Sequence, residues 1–155
     1  MCLTNAIQKL ILCICIGGNI LKAALIYFGE NKKLDLFIKM LVNLFERSEN
    51  ELKLFKVERS SNADNFSSFD FILAGCPVIN SFKGKVPSEL GLYLKRSSGM
   101  ERKKSAVFII PKFIGNEKTL KNLMSVLEKK GSFVIDFLQI KSPEKDSKLL
   151  FSHLK

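Results

Sequence analysis

The stretch KAALIYFGENKKLDLFIKMLVNLF, residues 22–45, holds the reading on which the fold turns. Ala23 to Phe28 is a continuous apolar run of strand length. After a break at Gly29, Leu34, Phe37, Ile38, Leu41, Val42, Leu44 and Phe45 recur at the i, i+3, i+4, i+7 spacing of an amphipathic helix. Asp35 falls in its first turn, where the helix dipole favours an anion. A strand that turns at a glycine into a helix is half of a βαβ unit. In nucleotide-binding α/β domains, such a corner faces phosphate.

Working outward, DFILAGC (70–76) and SAVFII (105–110) are two more unbroken apolar runs, as expected of strands buried on both faces of a parallel sheet. LKLFKV (52–57) instead interleaves Lys53 and Lys56 with apolar residues, and SFVIDFLQI (132–140) carries Asp136 and Gln139. Both read as edge strands. Pro87-Ser88-Glu89 opens a short helix carrying Leu90 and Leu94. Leu120, Leu123, Met124 and Leu127 form a further helical stripe closed by Lys129, Lys130 and Gly131. Ser142-Pro143-Glu144 starts a last helix. Five strands alternating with helices predict a doubly wound α/β sandwich, and placing the second and fifth strands at the edges selects the order 2-1-3-4-5. The ligand crevice of that order opens between the carboxyl ends of strands 1 and 3, beside the quoted glycine corner.

The chain's 155 residues fit one domain, assigned to 22–155, with 1–21 as an N-terminal extension. In that extension Leu10 to Ile16, followed by Gly17-Gly18, imitates a short secretory core. The run is too short to span a bilayer, so no transmembrane segment is expected. Cys2, Cys13, Cys15 and Cys76 match no redox or metal spacing and read as reduced cytoplasmic thiols. His153 is the single histidine, which argues against histidine-based metal or triad chemistry. The net charge of +10 comes from lysines spread along the whole chain without a block or a nucleic-acid motif. A nucleic-acid or membrane-surface adaptor therefore rests on charge alone.

Beyond these patterns, FDFILAGCPVINSFKGKVP (69–87) resembles the segment of flavodoxins that reads aromatic-Asp, apolar strand, Gly-Ser-Pro-aliphatic-aromatic, then a glycine and a helix-starting proline. KKSAVFII (103–110), a glycine-containing loop, a leucine-rich helix and LEKKG (127–131) resemble the second half of the same family, so the likeness covers nearly all of 22–154. It implies a flavodoxin-like three-layer sandwich that holds FMN non-covalently and takes part in electron transfer with a redox partner protein or a quinone-type substrate. The cofactor carries such chemistry, so no catalytic side chain is expected. By position, Gly29, Glu30, Asn31, Lys32 and Lys33 would face the phosphate. Cys76, Pro77, Val78, Ile79, Asn80 and Phe82 would flank one side of the ring, and Lys112, Phe113 and Gly115 the other. Phe82 and Phe113 are candidates to stack on it.

The chain departs from the family where phosphate would be held. Flavodoxins normally offer Thr-x-Thr-Gly-Asn-Thr there, and residues 28–33 of this chain lack every hydroxyl. Hydrogen bonds to a charged group are worth about 1.5–3 kcal/mol each, so three missing hydroxyls would cost roughly a thousandfold in affinity. Lys32, Lys33 and the helix N-terminus would recover part of that, with Glu30 opposing. A flavin-free interaction or structural module is the alternative reading.

Overall fold

The computed structural model describes residues 20–79 and 83–143. Five parallel strands, β1 (Lys22–Phe28), β2 (Glu51–Val57), β3 (Phe71–Pro77), β4 (Lys104–Ile110) and β5 (Phe133–Gln139), form one sheet in the order β2-β1-β3-β4-β5. The order expected from the sequence is the one observed. β1 lies between β2 and β3, with Phe28 beside Val57 on one side and Tyr27 beside Gly75 on the other. β4 joins β3 in continuous register, whereas the β4–β5 register shifts between Ser105 and Ala106.

The helices are α1 (Lys32–Arg47), α2 (Ser88–Arg96) and α3 (Asn116–Glu128). Alternation along each strand sends neighbouring side chains to opposite faces, and each face carries its own helices, with Phe133, Ile135 and Phe137 of β5 left exposed among the described residues. On one face Leu25, Leu73 and Phe108 pack with Leu34, Phe37 and Leu41 of α1. On the other, Ile26, Ile72, Ala74 and Val107 pack with Leu90 and Leu94 of α2 and Leu123 and Leu127 of α3. This gives the three-layer sandwich. Phe55 from β2 closes its end of the second layer against Phe66 and Phe69, with ring centroids 4.9 and 5.6 Å away.

One detail of the sequence reading shifts. α3 ends at Glu128, so Lys129 is its C-cap and Lys130 follows it rather than forming the last turn. The proposed helix after Pro143, like the N-terminal extension through residue 19, lies outside the described residues. Among the described residues no helix is long and apolar enough to cross a membrane.

Gly75 fixes how closely β3 and β4 pack. A Cβ built there would lie 2.3 Å from the Phe108 ring, so the adjacent strand's phenylalanine occupies the space that a side chain would need. The loops that bear on function start from this interlocked centre, at the carboxyl ends of β1, β3 and β4.

Candidate functional site

The corner after β1 packs against the end of β3. Gly29 has φ 97°, a left-handed conformation that favours glycine, and a Cβ there would meet the Pro77 ring at 3.1 Å. The chain then passes through Glu30 and enters α1 at Asn31. Asn31 is extended (φ −159°) and its Oδ1 accepts the Lys33 N–H at 2.8 Å, an N-cap that satisfies one of the helix's free donors. The sequence carries its signal, an Asn directly before the first periodic residues of the helix.

The charges of this corner are sorted by their neighbours. The Glu30 carboxylate pairs with the Lys56 ammonium of β2 at 3.3 Å, and that hydrogen bond, with the charge of Glu30, holds the Lys56 pKa above its ordinary value. Glu30 is thereby drawn toward the β2 edge and its charge is countered. Lys33 Nζ donates to the Lys141 backbone oxygen at 3.3 Å, which turns its ammonium toward the chain beyond β5. Lys32 is exposed and makes no ion pair among the described residues. Neither pairing is legible locally in the sequence, because Lys56 reaches Glu30 only through the β1–β2 register.

On the β3 side, Cys76 and Val78 are fully buried, in the layer beneath α2 and α3. Their side chains offer no surface to a ligand, and what these positions present is backbone. Val78 N–H itself donates to Ile110 O at 3.1 Å. Ile79 is half-exposed at the strand's outlet. Asn80 and Phe82 lie outside the described residues. The loop resumes at Lys83, and Gly84 O accepts from Asn122 Nδ2 at 2.7 Å, which ties it to α3.

The loop after β4 is held by its own asparagine. Asn116 Oδ1 accepts from the Lys112 N–H at 2.9 Å, and Asn116 Nδ2 donates to Lys112 O at 2.8 Å. Lys112 Nζ reaches across to Ile79 O at 3.2 Å and joins this loop to the one after β3. Gly115 takes φ 88° at the start of α3, leaving no side-chain cap there. At the tip of the loop the Phe113 ring is 100% exposed. Gly29, Ile79, Lys112, Phe113 and Gly115 thus come from three loops at one end of the sheet, and direct contacts tie the first loop to Pro77 and the third to Ile79.

Burial pushes the Cys76 thiol up to about 12, so the folded protein keeps it protonated. The unfolded chain ionises it near 9, and its contribution to stability is complete below that pH and is lost as pH rises toward 12. At up to about 1.4 kcal/mol per pH unit once the unfolded thiol is ionised, the stability difference between wild type and Cys76→Ala should narrow by about 1–2 kcal/mol between pH 9 and 10.5. Urea unfolding at the two pH values measures it.

No family model matches this sequence, and no curated protein matches it. Solved structures do. Oxidised flavodoxin 1 from Bacillus cereus superposes with a TM-score of 0.65 at 17% identity, covering 85% of this chain and 95% of the other. A Streptococcus pneumonia TIGR4 flavodoxin gives 0.62 at 12%, with 84% and 93% covered. Fusobacterium nucleatum flavodoxin, solved bound to flavin mononucleotide, gives 0.57 at 12%, with 86% and 96% covered. The chain has a flavodoxin-like fold.

Proposed function

We propose that this chain holds FMN non-covalently at the carboxyl ends of β1, β3 and β4 and takes part in electron transfer. The observation that carries the reading is the corner itself. Gly29 turns the chain in a left-handed conformation close against the Pro77 ring, and the N-terminus of α1 follows with Lys32 as a cation that no described carboxylate holds. Helix N-terminus and ammonium together suit a phosphate dianion. The exposed Phe113 suits the face of an aromatic ring. The residues present fit the cofactor, with lysine in place of the hydroxyls. A resemblance in fold to a flavodoxin bound to flavin mononucleotide supports the same assignment.

When bound, the flavin supplies the electron-carrying chemistry, and the protein's part is to place it and set its surroundings. In this reading Lys32 counters the phosphate charge, Asn31 fixes the helix entry that aims the amides, and the Lys56–Glu30 pair keeps the glutamate from opposing the anion. The electron donor or acceptor is a redox partner protein or a quinone-type substrate.

A flavin-free interaction module is the second reading. Asn31 favours it, because its side chain already occupies the Lys33 N–H and so removes one donor from any phosphate.

Titrating FMN into the purified protein, followed by quenching of flavin fluorescence, separates the two. The first reading expects saturable quenching by wild type and about tenfold weaker binding by Lys32→Ala, the loss of one charge-assisted contact. Lys33→Ala should bind within about twofold of wild type. Absence of quenching by wild type selects the flavin-free module.

A further inference from the structure

The chain carries an exposed apolar tip ringed by cations. Phe113 is wholly exposed, Ile114 is 50% exposed and Ile79 53%. The Lys112–Ile79 hydrogen bond joins the two loops that bear them. Behind Phe113 and Ile114, toward α3 and the end of β5, lies an open hollow of about 620 Å³ whose walls include Lys118, Lys121 and Lys141. With Lys112 that makes four lysines, and Glu117 is the single acidic residue among those lining the hollow. None of the four is ion-paired among the described residues. The Lys141 backbone is itself held by Lys33, so the far wall is anchored to α1.

Single exposed apolar side chains are ordinary, but several gathered on one loop tip within a charged rim have the composition of a protein–protein contact. Strands of nucleic acid are gripped by a series of aromatic platforms, and here Phe113 stands alone. An anionic membrane surface attracts the same lysines, and the vesicle arm of the test below separates it from a protein partner.

We propose that the Phe113–Ile114–Ile79 tip and its lysine rim dock an acidic face of a partner protein, with Ile114 and the face of Phe113 turned away from the flavin covered at the centre and Lys118, Lys121 and Lys141 meeting carboxylates around it. The proposal rests on the electron-transfer reading only for the class of partner, a redox protein. Complementary charge would speed encounter and fix orientation, and it makes the contact salt-dependent.

The test uses the full chain, with and without FMN, against two purified probes: a strongly acidic two-iron ferredoxin and a basic cytochrome c. The expected result is binding of the ferredoxin that weakens with added salt, and no binding of the cytochrome. The variant K118E/K121E/K141E and the single variant Ile114→Asp should each weaken ferredoxin binding about tenfold or more. A control reversal of three exposed lysines elsewhere, K39E/K95E/K129E, should weaken it about threefold at most. Equal loss in both triple variants, failure to bind ferredoxin, preference for cytochrome c, or tighter binding to oligouridine RNA or phosphatidylserine vesicles would overturn the proposal. Ferredoxin binding that persists without any FMN affinity would sink the flavin reading and leave the docking surface standing. FMN binding without ferredoxin docking would do the reverse.

Discussion

Phe108→Ala should cost about 3–5 kcal/mol of folding free energy, the largest effect expected from a single side chain here. Phe108 is fully buried on β4, stands 5.1 Å from the Phe37 ring of α1 and fills the space over Gly75 of β3. Its removal opens a cavity at the centre of the layer between sheet and α1, against a total stability of about 5–15 kcal/mol for a domain of this kind. Gly75→Ala is the complementary change. In wild type its new methyl meets Phe108 at 2.3 Å, so it should destabilise by about 1–3 kcal/mol through overpacking. In the Phe108→Ala background that methyl enters the cavity, and the two changes should cost about 1–2 kcal/mol less together than their sum. Urea unfolding of the two single variants and the double variant, followed by circular dichroism, measures the coupling. Simple additivity would show that the two residues do not share the space.

Gly29→Val should carry the largest effect on the candidate site. A β-branched residue at φ 97° is strained by about 1–3 kcal/mol, and its side chain meets the Pro77 ring that borders the corner. The corner must then shift away from β3, and the α1 N-terminus with it. We expect FMN affinity to fall about a hundredfold while the circular dichroism spectrum stays that of the wild type, because the sheet and its two buried layers do not involve the Gly29 conformation. A Gly29→Val protein that binds FMN as wild type does would mean that the phosphate sits elsewhere.

The sheet was legible in the sequence because burial on both faces writes itself as unbroken apolar runs. KAALIYF, FILAGC and SAVFII occupy the three inner positions, while Lys53, Lys56 and Asp136 mark β2 and β5 as edges. From those two marks alone the order 2-1-3-4-5 followed. The site was less legible, since its geometry comes from contacts between segments far apart in the chain. Lys33 and Lys32 look equivalent in sequence, yet Lys33 is committed to the Lys141 carbonyl and Lys32 is not. Glu30 looks like an obstacle to an anion, and the strand register hands it to Lys56. Cys76 sits in the middle of a suggestive Gly-Cys-Pro-Val stretch, and strand alternation turns its side chain into the core. Alternation from buried Ala74 would have shown that in advance.

Amide chemical-shift mapping on isotope-labelled protein during FMN addition tests the central claim most directly. The account predicts saturable shifts confined to Gly29–Lys33, Cys76–Phe82 and Lys112–Gly115, with the β2 amides unmoved. No shifts at saturating FMN, or shifts gathered along β2 and the outer face of α1, would contradict it.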